Sequence, residues 1–335
     1  MNWYKLLVLL VVLLMQSCSG QVQKINGVSY VAARDTISGV HVDPVVNVKA
    51  NYAAIMPFGF IRDLTHPEII YNTERQWFGE TREGVKQYAE ELNKKEIKIM
   101  LKPQIWVWRG EYTGFIEMEN EEKWKTLETS YSNFILEYAR LAQELQVPLF
   151  CIGTELEQFI ANRPQYWKSL ILEIKKIYQG KLTYAANWDE FKRTPFWDQL
   201  DYIGVDAYFP VSDEKTPTVE NCLEGWQSHK KTIKSVHDVY NKPVLFTEFG
   251  YRSVDHTGRE PWISDRNITG VNMEAQVNAT TALFQSFWDE EWFAGGFIWK
   301  WFIHHERVGG EENHMFTPQN KPVEAVIKSY FNSNE

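Results

Sequence analysis

From residue 25 onward, short apolar runs alternate with longer segments whose apolar positions recur every three to four residues. The runs at 25–32, 52–57, 97–106, 148–156, 182–187, 202–209, 244–251 and 295–302 read as eight strands. Several are almost continuously apolar, as strands covered on both faces should be. Between them, 81–94, 122–145, 164–179, 219–240, 273–290 and 323–331 carry the helical period. In the second of these, Trp124, Leu127, Tyr131, Phe134, Ile135, Tyr138, Leu141 and Leu145 make one apolar stripe. In the first, Val85, Tyr88, Ala89 and Leu92 lie opposite a charged face. Pro164 sits near a helix start, where proline is tolerated.

Strand and helix patterns in this succession predict one α/β domain, a (β/α)8 TIM barrel spanning residues 24–335. The first two units are the weakest, because 43–50 and 61–79 read as irregular. No Gly/Ser or Pro-rich linker, internal repeat or low-complexity tract divides the chain. Two long loops, 61–80 and 252–272, follow strands. They are therefore expected at the C-terminal rim of the barrel, where this fold places its active sites.

The first residues are of another kind. Leu6 to Met15 is almost wholly aliphatic and follows Lys5, which reads as a secretory signal over residues 1–17. The run is too short to span a bilayer comfortably. Ser17-Cys18 resembles a bacterial lipobox, which implies that Cys18 becomes a lipidated N-terminus and that residues 18–23 form a tether. The expected location is the bacterial cell envelope, anchored by lipid and facing either the periplasm or the cell surface.

The formal net charge of −9 argues against nucleic acid as a partner. With 14 Trp, 16 Tyr and 19 Phe the chain is unusually aromatic. Most such rings fill a core, and a surplus of Trp also suits stacking on sugar rings. Cys151 falls in a predicted buried strand and Cys222 at a helix start, with nothing to favour a disulfide between them. No Cys or His spacing matches a metal site. His256, His304, His305 and His314 read as solvated loop residues, and the Asn267-Ile268-Thr269 and Asn278-Ala279-Thr280 sequons carry no weight in a bacterial lipoprotein.

The chemistry is carried by two glutamates. Phe150-Cys151-Ile152-Gly153-Thr154-Glu155-Leu156 and Leu245-Phe246-Thr247-Glu248-Phe249-Gly250-Tyr251 are apolar runs that each end in a carboxylate. A charge at the tip of a buried strand is costly unless it is paired or used. Glu155 closes the fourth predicted strand and Glu248 the seventh, on opposite sides of a barrel mouth, so the two can converge. Carboxyl groups about 5–5.5 Å apart, one protonated and one ionised, are the equipment of a retaining glycoside hydrolase. Proximity itself drives that split, because one of two close anions takes up a proton.

These segments resemble the clan A retaining hydrolases, barrels with the acid/base glutamate after strand four and the nucleophile after strand seven. Ile152-Gly153-Thr154-Glu155-Leu156 and Thr247-Glu248-Phe249-Gly250-Tyr251-Arg252-Ser253 look most like glycoside hydrolase family 113, which contains β-1,4-mannanases. The resemblance implies Glu155 as acid/base, Glu248 as nucleophile, a β-linked oligo- or polysaccharide as substrate, and no cofactor. Thr154 departs from the clan, most of which places Asn there to bond the sugar 2-hydroxyl.

Other strand ends supply candidate substrate contacts. Tyr208 is expected to hold Glu248 through its hydroxyl. Asn187 and Trp188 end strand five, the one to bond a hydroxyl and the other to stack. Lys102, Gln104 and Trp106 alternate on strand three, with Gln104 and Trp106 read as substrate contacts and Lys102 as an inner-layer residue paired with an acid. Trp299 and Trp301 share a face of strand eight, and Trp299 is expected beside the scissile bond. Arg62 is expected to pair with Glu248 or with a nearby acid, and Asp206 to support the site or to rest on backbone. Two further readings stay open: a clan A β-glycosidase for another sugar, and a sugar-binding lipoprotein on a barrel without turnover. A monomer is the default.

Overall fold

The computed structural model describes residues 23–264, 267 and 270–333. The signal segment, Cys18 and nearly all of the tether lie outside these residues, as does part of the sequon at Asn267. Ten strands occur among the described residues: β1 (Ile25–Tyr30), β2 (Tyr52–Ile55), β3 (Phe58–Ile61), β4 (Lys98–Leu101), β5 (Gln104–Val107), β6 (Leu149–Thr154), β7 (Lys181–Asn187), β8 (Ile203–Asp206), β9 (Val244–Phe249) and β10 (Phe293–Trp301). Eight of them, all but β3 and β5, close a parallel barrel in chain order, with β10 paired back to β1. This is the (β/α)8 barrel that the alternating pattern predicts.

The barrel has two apolar layers, and the two-residue period of the strands sorts side chains between them. Ile25, Ala54, Met100, Leu149, Cys151, Ala185, Leu245 and Phe297 pack together inside. Their chain neighbours, such as Ala53, Ile55, Ile99, Leu101, Phe150 and Ile152, join the larger cluster between the strands and the helices. The helices are α1 (Gly39–Asn47), α2 (Arg82–Asn93), α3 (Glu121–Glu144), α4 (Glu157–Asn162), α5 (Pro164–Ile177), α6 (Val219–Tyr240), α7 (Met273–Phe287) and α8 (Pro322–Asn332). Polar caps set several starts: Thr81 accepts from the Gly84 N–H, Asn120 from Lys123, Thr218 from Asn221 and Asn272 from Ala275.

Three departures from the sequence reading have local causes. The predicted strands 52–57 and 97–106 each break at a proline, after Met56 and after Lys102, because proline cannot donate to a barrel ladder. The chain resumes as β3 and β5, which pair with each other as a separate parallel ribbon beyond the barrel ends. Residues 43–50, read as irregular, mostly belong to α1, which buries Val42 and Val45 even though Pro44 lies inside it. Between β7 and β8 the crossover is a 3-10 turn, Trp197–Gln199. Buried Phe191, Phe196, Trp197 and Leu200 cover that side of the barrel, and the Trp197 indole donates to the Phe191 carbonyl at 2.8 Å. Cys151 and Cys222 are both buried free thiols. No helix among the described residues is long and apolar enough to cross a membrane.

Candidate active site

Glu248 lies near the C-terminal end of β9 and is 6% exposed. Three side chains donate to its carboxylate. Lys102 Nζ reaches Oε1 at 2.5 Å, Gln104 Nε2 reaches the same oxygen at 3.1 Å, and Tyr208 Oη reaches Oε2 at 2.8 Å. The proline break after Lys102 matters here. It lets Lys102 point from the barrel end while Gln104 opens β5 beside it, so both serve one oxygen.

Asp206 is the other partner of Lys102, 3.3 Å from its ammonium, and also accepts from Thr247 Oγ1 at 2.7 Å. It stands level with Glu248 because the β8–β9 register shifts by one residue: Val205 pairs with Phe246, but Asp206 pairs with Glu248. One ammonium, fully buried, is thus shared by two carboxylates. Burial alone lowers the Lys102 pKa, but Asp206 and Glu248 outweigh it and hold the group above the ordinary lysine value. For Asp206, burial and then the Glu248 charge push the pKa up to about 7, with Lys102 and Thr247 pulling the other way.

Glu155 follows β6 and has a left-handed backbone, φ +50°. Its N–H donates to the Ala185 carbonyl at 2.8 Å, and its own carbonyl accepts from Thr113 Oγ1 at 3.1 Å. The carboxyl has its pKa raised well above the usual carboxylate range, first by burial and then by the Asp206 and Glu248 charges. Parallel strands of one closed barrel end on the same side, so Glu155, just after β6, and Glu248, near the end of β9, lie at the same C-terminal mouth. The combination is a carboxyl that keeps its proton beside a carboxylate whose oxygens accept from three donors, which is the division of labour a glycosidic bond requires.

The remaining sequence candidates sort into three groups. Tyr208 and Gln104 both contact Glu248, so Gln104 is a ligand of that carboxylate. Asn187 ends β7 half-buried, and its side-chain oxygen accepts from the Trp188 N–H. Trp188 stacks on Trp262 with ring centroids 5.3 Å apart and planes 15° apart. Trp299 is half-buried near the end of β10 under the Lys300 ammonium. Trp106 is 48% exposed, edge-on to Phe58. Trp301, expected to share the face of Trp299, is instead fully buried beside His305. The β1–β10 register slips between Val28 and Tyr30 at this point, which removes simple alternation.

Of the two partners open to Arg62, Glu248 and a nearby acid, the structure shows the second. Its side chain is 75% exposed and pairs with the adjacent Asp63 at 3.1 Å. Following β3 places it out on the rim, and the cation that serves Glu248 is Lys102. Lysine on an inward strand position was legible as an ion-pair residue, but its second acid, Glu248, required the tertiary fold. The sequence reading also missed Trp262, which no period marks because it lies in the long 252–272 loop. It missed Tyr112, whose phenol is raised by burial and by the Glu155 charge. Gly250 was read only as part of a motif, yet a Cβ there would stand 2.5 Å from the Trp299 carbonyl, so the residue after strand β9 has to be small. Among the described residues no group of His, Cys, Asp and Glu is arranged to hold a metal ion.

Comparison with known proteins agrees with the barrel fold. The family model of glycoside hydrolase family 113 matches residues 34–321. Among solved structures, the β-mannanase AaManA of Alicyclobacillus acidocaldarius, in complex with ManMIm, superposes with a TM-score of 0.82 at 23% identity, over 93% of this chain and 98% of that one. A second family 113 β-1,4-mannanase complex gives 0.81 at 21% identity, over 93% and 99%. A β-glucuronidase of Faecalibacterium prausnitzii gives 0.61 at 14% identity, over 93% of this chain and 49% of that one. No curated protein sequence matches the chain. The match to the family model over most of the sequence, on a closed eight-stranded barrel, shows that the chain belongs to glycoside hydrolase family 113 and is a glycoside hydrolase.

Proposed function

We propose that the enzyme cleaves β-1,4-mannosidic bonds in mannan or manno-oligosaccharides by double displacement, with retention of configuration. The observation that carries this reading is the pair of glutamates in one site, with Glu155 raised by burial and like charge and Glu248 accepting from Lys102, Gln104 and Tyr208. In the first step the Glu155 proton passes to the glycosidic oxygen, the C1–O bond breaks, and a Glu248 oxygen bonds to C1. In the second, Glu155 takes a proton from water, the water oxygen bonds to C1, and Glu248 is released as a carboxylate. Tyr208 stays on the Glu248 oxygen that does not attack, while Trp188, Trp299 and Trp106 offer ring faces for pyranose stacking.

Mannan is the favoured substrate because three family 113 structures of similar fold are β-mannanases. A feature of the site agrees with a departure from other sugars. The Thr154 hydroxyl, where most of the clan has Asn, is buried without a partner among the described residues, so the sugar 2-hydroxyl has to meet a donor other than the one most of the clan uses. The test is reducing-end release from mannan, cellulose and xylan by the form lacking residues 1–18, with the anomer first formed read by NMR. Release from mannan as the β-anomer is expected. Release only from cellulose would overturn the mannan assignment, and an inverted product would overturn the mechanism. Glu248→Ala should abolish turnover, while Glu155→Ala should spare substrates whose leaving group needs no proton.

Residues 1–18 support a further part of the proposal, anchorage of the barrel to the cell envelope through lipid on Cys18. Cys18→Ala should then move the full chain from the membrane to the soluble fraction, and unchanged fractionation would refute the anchor.

A further inference from the structure

The peptide unit between Glu155 and Leu156 is held by side chains at both polar ends. Its carbonyl accepts from Thr113 Oγ1 at 3.1 Å, and its N–H donates to Tyr184 Oη at 2.6 Å. Tyr184, on β7, donates in turn to Glu190 Oε1 at 2.7 Å, and the Asn187 N–H donates to Glu190 Oε2 at 3.0 Å. The direction of every proton follows from chemistry. A backbone N–H can only donate, so the phenol oxygen must accept from Leu156, and its single hydrogen goes to Glu190. Tyr184 is fully buried and Glu190 is 2% exposed.

The geometry at Glu155 gives this relay a purpose. A φ of +50° in a residue with a side chain is strained and persists only where the surroundings impose it. The Glu155 N–H on the Ala185 carbonyl and the Leu156 N–H on Tyr184 tie both sides of the residue to β7. Glu190, on the loop after β7, fixes the phenol from behind. Neither Tyr184 nor Glu190 is part of the donor set around Glu248.

We propose that Tyr184 and Glu190 are positioning residues that hold the Glu155 backbone in its left-handed conformation, and so aim its carboxyl at the glycosidic oxygen. The inference rests on the acid/base role proposed for Glu155. Its consequence is selective: only the steps that move a proton through Glu155 should suffer. Removing the Tyr184 hydroxyl leaves the Leu156 N–H buried without its acceptor and frees Glu155 to relax. Above about pH 8, where the buried Glu190 is ionised and offers one oxygen to each of its two donors, glutamine at this position presents only one acceptor oxygen and so loosens the same relay.

The experiment compares a manno-oligosaccharide, which needs an acid, with 2,4-dinitrophenyl β-mannoside, whose leaving group does not, under conditions where glycosylation is rate-limiting. Glu155→Ala is the reference. In Tyr184→Phe, kcat/KM on the oligosaccharide should fall about tenfold or more, a fraction of what general acid catalysis supplies, while the activated substrate changes less than about threefold. Glu190→Gln, read the same way above about pH 8, serves if Tyr184→Phe does not fold. Equal losses on both substrates, or a loss under about threefold on the oligosaccharide, would overturn the proposal. Insolubility of both variants would assign the pair to folding and overturn it too. If Glu155→Ala itself shows no dependence on the leaving group, the acid assignment falls first, and this inference with it.

Discussion

Replacing Lys102 with methionine is the sharpest probe of the site. The unbranched side chain becomes one atom shorter and loses its charge, leaving the neighbouring buried acids Asp206 and Glu248 with no cation. At an effective dielectric constant of about 20, the contacts at 2.5 and 3.3 Å correspond to gross attractions of about 7 and 5 kcal/mol. Desolvating the ammonium offsets much of that, so the net cost of removing it is better taken as about 3–5 kcal/mol, the value for breaking a buried pair. An unfolding entropy of about 2.1 cal/mol/K per residue over about 310 residues is about 0.65 kcal/mol/K, so the melting temperature should drop by about 5–8 °C. Thermal unfolding by circular dichroism at pH 7 and fixed scan rate reads this directly. The loss arises from stranded charge, so adding Glu248→Gln to Lys102→Met should recover part of it, with a coupling of at least about 0.5 kcal/mol in the double-mutant cycle. An unchanged melting temperature together with additive single variants would refute the shared-cation argument.

Two further outcomes follow from the same geometry. Tyr208→Phe removes one donor from Glu248 Oε2, and a hydrogen bond to a charged group is worth about 1.5–3 kcal/mol. Steady-state kinetics should show kcat lowered about ten- to hundredfold with KM little changed, and a loss under about twofold would show that the phenol does not act on the reacting carboxylate. The pH dependence of stability has a definite sign: burial raises Asp206 to about 7 and Glu190 to about 8, both above their ordinary values of 3.8 and 4.5. The folded chain therefore binds more protons than the unfolded chain in this window. Stability from these groups is complete below about pH 4 and is lost as pH rises through 7 to 8. Melting temperatures measured between pH 5 and 8 should fall with pH, and a rise across that range would contradict these burials.

Much of the fold could be read from period alone. The eight barrel strands, and α6 at its full extent of Val219–Tyr240, coincide with apolar patterning because burial on both faces leaves strands little freedom in composition. Reading failed where another constraint overrode the pattern. The Met56-Pro57 and Lys102-Pro103 breaks produced β3 and β5, and Pro44 concealed α1. In the site, Glu155, Glu248 and Tyr208 stood out because polar groups at the ends of apolar strands need a use. The long loops showed no such contrast, so Trp262 stayed hidden, and no local pattern decided between Glu248 and a nearby acid as the partner of Arg62.

The linear sequence by itself determined a barrel of alternating strands and helices and the two strand ends that carry acids, because those depend on local period and on the cost of burying charge. The tertiary structure alone decided which groups serve each acid. Lys102 reaches Glu248 across 146 positions, the one-residue slip of β8 against β9 sets Asp206 level with it, and Tyr184 supports the peptide after Glu155 from a neighbouring strand. Hydrogen bonds act over about 3 Å. Partners so far apart along the chain meet only through the register and closure of the barrel, which no local pattern encodes.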